Sequence, residues 1–90
     1  MAVFRIPNTL RPLADGAAEI EVDAVELGEA LRVLEAAHPG LAERITDENG
    51  RLYGFVNVFV GEAECRTLDG LSTPLAADTV VSVVPAVAGG

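Results

Sequence analysis

The chain ends with the stretch Thr79-Val80-Val81-Ser82-Val83-Val84-Pro85-Ala86-Val87-Ala88-Gly89-Gly90. Its first half is rich in β-branched residues, and this composition predicts a strand from Thr79 to Val84. Pro85 has no backbone N–H to donate to a ladder, so we expect the strand to end there. The small residues 86–90 that follow predict a flexible tail.

Two shorter segments near the start of the chain alternate between apolar and polar residues. Ala2 to Ile6 forms the first and stops at Pro7, and Ala17 to Val22 forms the second. In the second, Glu19 and Glu21 point to one side and the apolar residues point to the other. The two segments predict an N-terminal hairpin with a long loop.

A helix is predicted directly after this hairpin. Asp23 and Glu26 have the spacing of a capping box, which predicts that the helix starts at Asp23. The sequence His38-Pro39-Gly40 ends the helix, and Leu41 to Ile45 can add a further turn. Gly28 weakens a helix, so we expect it to allow close packing on a sheet. The apolar face of the helix consists of Leu27, Ala30, Leu31, Leu34 and Ala37.

The remaining segments complete a β-β-α-β-(β)-β order. Leu52 to Val60 is the strongest predicted strand, Glu62 to Arg66 is a short edge strand, and Leu68 to Leu75 is irregular. This order predicts an α+β protein, with one main helix across one face of a mixed sheet. If the first and last strands pair in the centre, the fold is a β-grasp, as in ubiquitin. We expect residues 1–85 to form this domain and residues 86–90 its tail.

Composition excludes several classes of function. The 90 residues fit one domain, and 14 acidic against 6 basic residues give a net charge of −8. This balance disfavours binding to nucleic acid or to an anionic membrane surface. All basic residues are Arg, and the absence of Lys excludes Schiff-base chemistry and a Walker-type phosphate loop.

The same counts bear on redox chemistry and location. A single Cys and a single His exclude an internal disulfide and an all-His/Cys zinc site. The sequence has neither a signal-peptide pattern nor an apolar run of about 20 residues. We therefore expect a cytoplasmic protein that holds no metal.

Catalytic side chains are weakly indicated. His38 is expected to be a solvated cation at the helix end, and Cys65 a packed or half-exposed thiol. Gly89-Gly90 is a different kind of candidate, because bare backbone can enter a narrow channel and present a terminal carboxylate. A carboxylate becomes reactive once ATP converts it to an acyl-adenylate. The alternative is a frayed terminus without function.

The chain resembles the MoaD/ThiS family of ubiquitin-like sulfur carriers and is most similar to the CysO-type carriers of actinobacteria. The C-terminal segment is the most specific part of this resemblance. The residues that carry it are Ile6-Pro7, Leu10-Arg11-Pro12, Leu34-Glu35-Ala36, Pro39-Gly40-Leu41, Glu43-Arg44, Phe55-Val56-Asn57-Val58-Phe59-Val60, Gly70-Leu71 and Val84-Pro85-Ala86-Val87-Ala88-Gly89-Gly90.

The resemblance implies a carrier rather than an enzyme. An E1-like adenylyltransferase and sulfurtransferase of the MoeB/ThiF type would adenylate Gly90 with ATP and convert it to a thiocarboxylate. The tail residues Ala86, Val87, Ala88, Gly89 and Gly90 would enter the partner's active site. No cofactor is expected on the carrier, since ATP and a sulfur donor are used by its partners.

The resemblance leaves the acceptor open. In CysO-type systems the acceptor is a cysteine synthase, and a zinc peptidase releases cysteine. A MoaD-like small subunit of molybdopterin synthase is an alternative. So is a ubiquitin-like modifier conjugated to target proteins through Gly90.

Strand parity predicts where a partner docks. Val81 and Val83 should face the helix, so the opposite side of the sheet should be open. The predicted docking face consists of Arg5, Phe55, Asn57, Phe59 and Val84, and its aromatic rings suit an anchor-rich interface. The alternative is that the phenylalanines form the core and the valines lie outside. The acidic surface suits a more basic activating enzyme through electrostatic steering.

Overall fold

The computed structural model describes residues 1–85. Within that range the five strands form one mixed sheet in the order β2-β1-β5-β3-β4. The elements are β1 (Ala2–Arg5), β2 (Glu19–Val22), α1 (Leu27–Ala37), β3 (Val56–Val60), β4 (Ala63–Glu64) and β5 (Val80–Pro85). β1 and β5 are parallel neighbours in the centre, whereas the other pairs are antiparallel. The predicted β-grasp fold is therefore confirmed.

The central strand β5 has the alternation that its sequence predicts. Val81 and Val83 are buried, whereas Val84 is exposed on the other side of the sheet. β3 follows the same rule, with Val56 and Val58 fully buried. Because side chains in a strand alternate with a period of two, these valines all lie on the face of the sheet that packs against the core.

A single apolar core joins the inner face of the sheet to α1. Phe4, from the central strand β1, is the largest fully buried side chain. It belongs to the same cluster as Leu27 and Leu34 of the helix. Full burial of one such side chain stabilises the fold by about 1.5–3 kcal/mol.

The helix begins later than the capping-box pattern predicts. Its N-cap is Glu26, and no capping bond from the Glu26 side chain is formed. The Leu27 N–H donates to the carbonyl of Thr73 at 2.9 Å, and the Leu75 N–H donates to that of Val25 at 2.9 Å. These bonds hold residues 25–27 against residues 73–75, so tertiary pairing overrides the local helix signal.

Gly28 makes a close approach, but to a different element from the one predicted. A Cβ on Gly28 would lie 3.2 Å from the carbonyl oxygen of Leu71. Leu71 belongs to a single 3₁₀ turn, Gly70–Ser72, and not to the sheet. The glycine therefore lets the first helical turn pack on this loop.

Four predicted strands are shorter in the structure, and the two in the second half of the chain differ most. β3 begins at Val56, because the Val56 N–H donates to the Tyr53 carbonyl at 3.1 Å and closes a turn. The predicted edge strand of residues 62–66 is only Ala63–Glu64, and a 3₁₀ turn, Cys65–Thr67, follows it. Phe55 therefore lies in a turn and not on a strand.

Candidate functional site

The last described residue, Pro85, marks one end of the sheet. It pairs with Val56, the first residue of β3. Phe55 directly precedes Val56 and so lies next in sequence to the residue that pairs with Pro85. The predicted tail residues Ala86, Val87, Ala88, Gly89 and Gly90 lie outside the described residues, and the role of Gly90 stays a prediction.

The five residues of the predicted docking face lie away from the core. Arg5, Asn57 and Val84 are exposed, and Phe59 is half-buried. Phe55 is 57% exposed. The structure thus places the valines of β3 inside and its aromatic neighbours outside. That this face binds a partner stays a prediction.

Strand register fixes how these residues lie relative to one another. Ser82 of β5 pairs with Arg5 on one side and with Phe59 on the other. Arg5 and Phe59 are therefore two strand spacings apart, roughly 9–10 Å along the hydrogen-bonding direction. Val84 lies two residues beyond Ser82 in β5, towards Pro85, and it pairs with Asn57. The five residues consequently follow β5 towards its C-terminal end.

Phe55 is supported by another aromatic ring. It stacks on Tyr53 with ring centroids 4.9 Å apart and an interplanar angle of 14°. Tyr53 itself packs against the core. The stack gives an exposed phenylalanine a defined orientation, and aromatic pairs of this kind contribute about 0.5–1.5 kcal/mol beyond the area that they bury.

Arg66 is a residue of this region that sequence reasoning missed. Its Nη2 donates to the Tyr53 carbonyl at 2.7 Å, and its Nη1 donates to the Val56 carbonyl at 3.0 Å. One guanidinium thus holds both ends of the turn that carries Phe55. The partners lie 13 and 10 residues away in sequence. No local pattern relates them, so only the fold could reveal the contact.

Glu64 holds Arg66 in place through direct contacts. Its Oε2 lies 3.2 Å from Arg66 Nη1 and accepts the Val58 N–H at 3.4 Å, while its Oε1 accepts the Arg66 N–H at 3.1 Å. Burial raises the pKa of Glu64. The hydrogen bonds that its carboxylate accepts from Arg66, Cys65 and Val58, together with the charge of Arg66, lower the pKa by more, so it lies below its ordinary value. Glu64 is therefore an anion held in place beside Arg66 and β3.

The two side chains weighed for catalysis do not form a reactive pair. Cys65 is fully buried, and burial, together with the neighbouring Glu64 carboxylate, raises the pKa of its thiol to about 11. His38 is only 18% exposed and lies 3.8 Å from a carboxylate oxygen of Asp15, so the prediction of a solvated side chain is wrong. Asp15 thus lies beside the C-cap of the helix.

The described residues contain neither a metal-binding cluster nor a membrane-spanning helix. Among residues 1–85, no three His, Cys, Asp or Glu side chains are grouped so that they could hold a metal ion. In the same range, no helix is both long and apolar enough to span a bilayer.

The central parallel pair, the one α-helix among residues 1–85 and the open face define a ubiquitin-like β-grasp protein. A family model gives a more specific assignment, because the ThiS family matches residues 4–90. The chain belongs to the ThiS family.

Relatives of known name share most of the chain. The sulfur carrier protein CysO of Mycobacterium tuberculosis is 38% identical over 87 residues, which cover 94% of each chain. The crystal structure of that CysO matches with a TM-score of 0.90 and 34% identity, over 97% of this chain and 100% of that one.

Two further relatives extend this picture. The crystal structure of the BexX/CysO complex of Amycolatopsis orientalis contains a chain that matches with a TM-score of 0.93 and 29% identity over 100% of both chains. Small archaeal modifier protein 3 of Haloferax volcanii is 44% identical over 68 residues, which cover 76% of this chain and 73% of that protein. The relatives are thus named as sulfur carriers and as a modifier.

Proposed function

We propose that this protein is a sulfur carrier whose reactive group is the carboxylate of Gly90. A carboxylate oxygen attacks the α-phosphorus of ATP, and pyrophosphate leaves. A sulfur nucleophile at the oxidation level of sulfide then attacks the carbonyl carbon of the adenylate, and AMP leaves. The product is a thiocarboxylate that donates its sulfur in biosynthesis. The carrier supplies the carbonyl and the binding surface, and it performs no catalysis itself.

The observation that carries this proposal is the match to CysO along nearly the whole chain. It covers 94% of both chains at 38% identity. The family match also extends to residue 90, so it includes the Gly89-Gly90 sequence. Glycine leaves the backbone bare, which suits a tail that must pass through a narrow channel to an active site.

The proposed partners follow from this chemistry. An E1-like adenylyltransferase and sulfurtransferase of the MoeB/ThiF type activates the tail in the cytoplasm, using ATP and a sulfur donor. A cysteine synthase-like enzyme accepts the sulfur, and a zinc peptidase releases the cysteine. The BexX/CysO complex supports this proposal, because a homologous carrier there assembles with another protein. The carrier holds no cofactor of its own.

We propose that the activating enzyme docks on Arg5, Phe55, Asn57, Phe59 and Val84. Their position supports this docking, since the face runs along β5 to Pro85 and the tail begins at the next residue. A partner that covers the face therefore receives the tail in a fixed direction. Phe55 is the proposed anchor, because exposed aromatic rings tend to dominate the binding energy of such interfaces.

The test is the intact mass of the purified chain after incubation with the activating enzyme, ATP and a sulfide source. The proposal predicts a mass gain equal to the exchange of one oxygen for one sulfur. A chain lacking Gly90 should keep its fold by circular dichroism and gain no sulfur. Omitting ATP is the matched control. If the truncated chain still acquires and delivers sulfur, the proposal is wrong.

Conjugation to target proteins is the second candidate function. It is favoured by the 44% identity to small archaeal modifier protein 3. In the same experiment, adducts of high mass in the presence of a target protein would indicate a modifier. The chain contains no Lys, so it cannot form Lys-linked polymers with itself.

A further inference from the structure

The turn from Tyr53 to Val56 is held by a side chain from outside it. Within the turn, the Val56 N–H donates to the Tyr53 carbonyl at 3.1 Å. The same carbonyl accepts a second bond from Arg66 Nη2 at 2.7 Å. Arg66 Nη1 binds the Val56 carbonyl at 3.0 Å. One planar group therefore fixes both ends of the segment that displays Phe55.

Arg66 is itself oriented by the edge of the sheet. The carboxylate of Glu64 contacts both the guanidinium and the backbone N–H of Arg66. It also accepts the Val58 N–H of β3 at 3.4 Å. This carboxylate therefore connects the arginine to the strand that Phe55 precedes. A rigid fork with several N–H donors suits this role, whereas a lysine offers a single ammonium on a flexible stem.

We infer that Arg66 is a positioning residue for the docking of the activating enzyme, acting through Phe55. This inference rests on the proposed function. Phe55 precedes the residue that pairs with Pro85, so its position defines the approach to the tail. A ring fixed before binding loses less conformational entropy in the complex than a mobile ring does. Arg66 therefore acts on the affinity of the carrier for its enzyme.

The test measures ATP-dependent activation by pyrophosphate release, as a function of carrier concentration. Arg66→Ala is expected to raise the KM for the carrier by about fivefold, because the ordering of Phe55 must then occur on binding. The kcat should not change, since Arg66 does not touch the reacting carboxylate. Arg51→Ala is the matched control. It removes the same charge from an exposed loop position and should leave both constants unchanged.

A double-mutant cycle shows whether Arg66 acts through Phe55. Phe55→Ala alone should raise the KM by about tenfold, as an interface anchor does. Combining it with Arg66→Ala should raise the KM no further, because the ring that Arg66 positions is already absent. Independent effects that multiply would overturn the inference, and so would an unchanged KM in Arg66→Ala.

A charge-preserving variant covers the case in which Arg66→Ala does not fold. Arg66→Lys retains the positive charge but cannot bind both carbonyls as a fork. Its KM should also rise, and a KM equal to that of the unmodified chain would overturn the inference. The NMR shifts of the Tyr53 ring, which the stacked Phe55 perturbs, should move towards free values in either variant. If the unmodified chain is not activated at all, the proposed function fails instead.

Discussion

Replacing Phe55 with Ser tests which side of the sheet carries the aromatic surface. Full burial of a phenylalanine contributes about 1.5–3 kcal/mol, and 57% of Phe55 remains in contact with solvent. The Phe55→Ser change should therefore lower the free energy of unfolding by about 1–3 kcal/mol once the lost stack on Tyr53 is included. Phe4→Ala is the matched comparison, and its fully buried ring should cost about 3–5 kcal/mol.

Urea unfolding followed by far-ultraviolet circular dichroism measures both variants. Far-ultraviolet dichroism reports the backbone, whereas the fluorescence of Tyr53, the single tyrosine, would respond to the loss of the Phe55 ring itself. The unfolding transitions of Phe55→Ser and Phe4→Ala should have similar slopes, but the midpoint of Phe4→Ala should lie at a clearly lower urea concentration. If Phe55→Ser were as destabilising as Phe4→Ala, the ring would belong to the core, and the proposed docking face would be wrong.

Three further predictions follow from individual contacts. Gly28→Val should destabilise the fold by about 1–3 kcal/mol in the same urea assay, because even a Cβ would lie 3.2 Å from the Leu71 carbonyl oxygen. A valine variant as stable as the unmodified chain would contradict this packing. Cys65 should react with a thiol reagent at pH 8 only as fast as the chain unfolds, because its thiol is buried and has a pKa of about 11. Rapid labelling of the folded chain would contradict this expectation. Glu64 has a lowered pKa, so its carboxylate stabilises the fold above its ordinary pKa of 4.5, and this stability is lost as the pH falls through the lower folded-state value. Glu64→Gln should therefore lose less stability between neutral and acidic pH than the unmodified chain, as urea midpoints across that range would show, and identical pH profiles would contradict it.

The sheet was predictable because its signals are local. Alternation in Val80 to Val84 and in Val56 to Val60 determines which side chains face the core, and this pattern requires no knowledge of other elements. The order of the elements raised the central pairing of β1 with β5 only as a condition for a β-grasp, and the structure shows this parallel pair. These features also place Arg5, Asn57, Phe59 and Val84 on the open side.

The errors arise where distant parts of the chain meet. Asp23 and Glu26 form a plausible cap in isolation, but residues 25–27 bind residues 73–75 instead. Phe55 belongs to a β-rich run, yet the turn that Arg66 holds separates it from the strand. Sequence alone contains no signal for contacts of this separation, because neither spacing nor composition relates the partners.

Fragment mass spectrometry can show whether the C-terminal carboxylate is the atom group that acquires sulfur. The chain is incubated with the activating enzyme, ATP and sulfide, and fragments that contain the C-terminus are sequenced. We predict that the exchange of one oxygen for one sulfur is confined to Gly90 and requires ATP. Sulfur located on Cys65, or a chain whose C-terminus stays an unmodified carboxylate under these conditions, would contradict it.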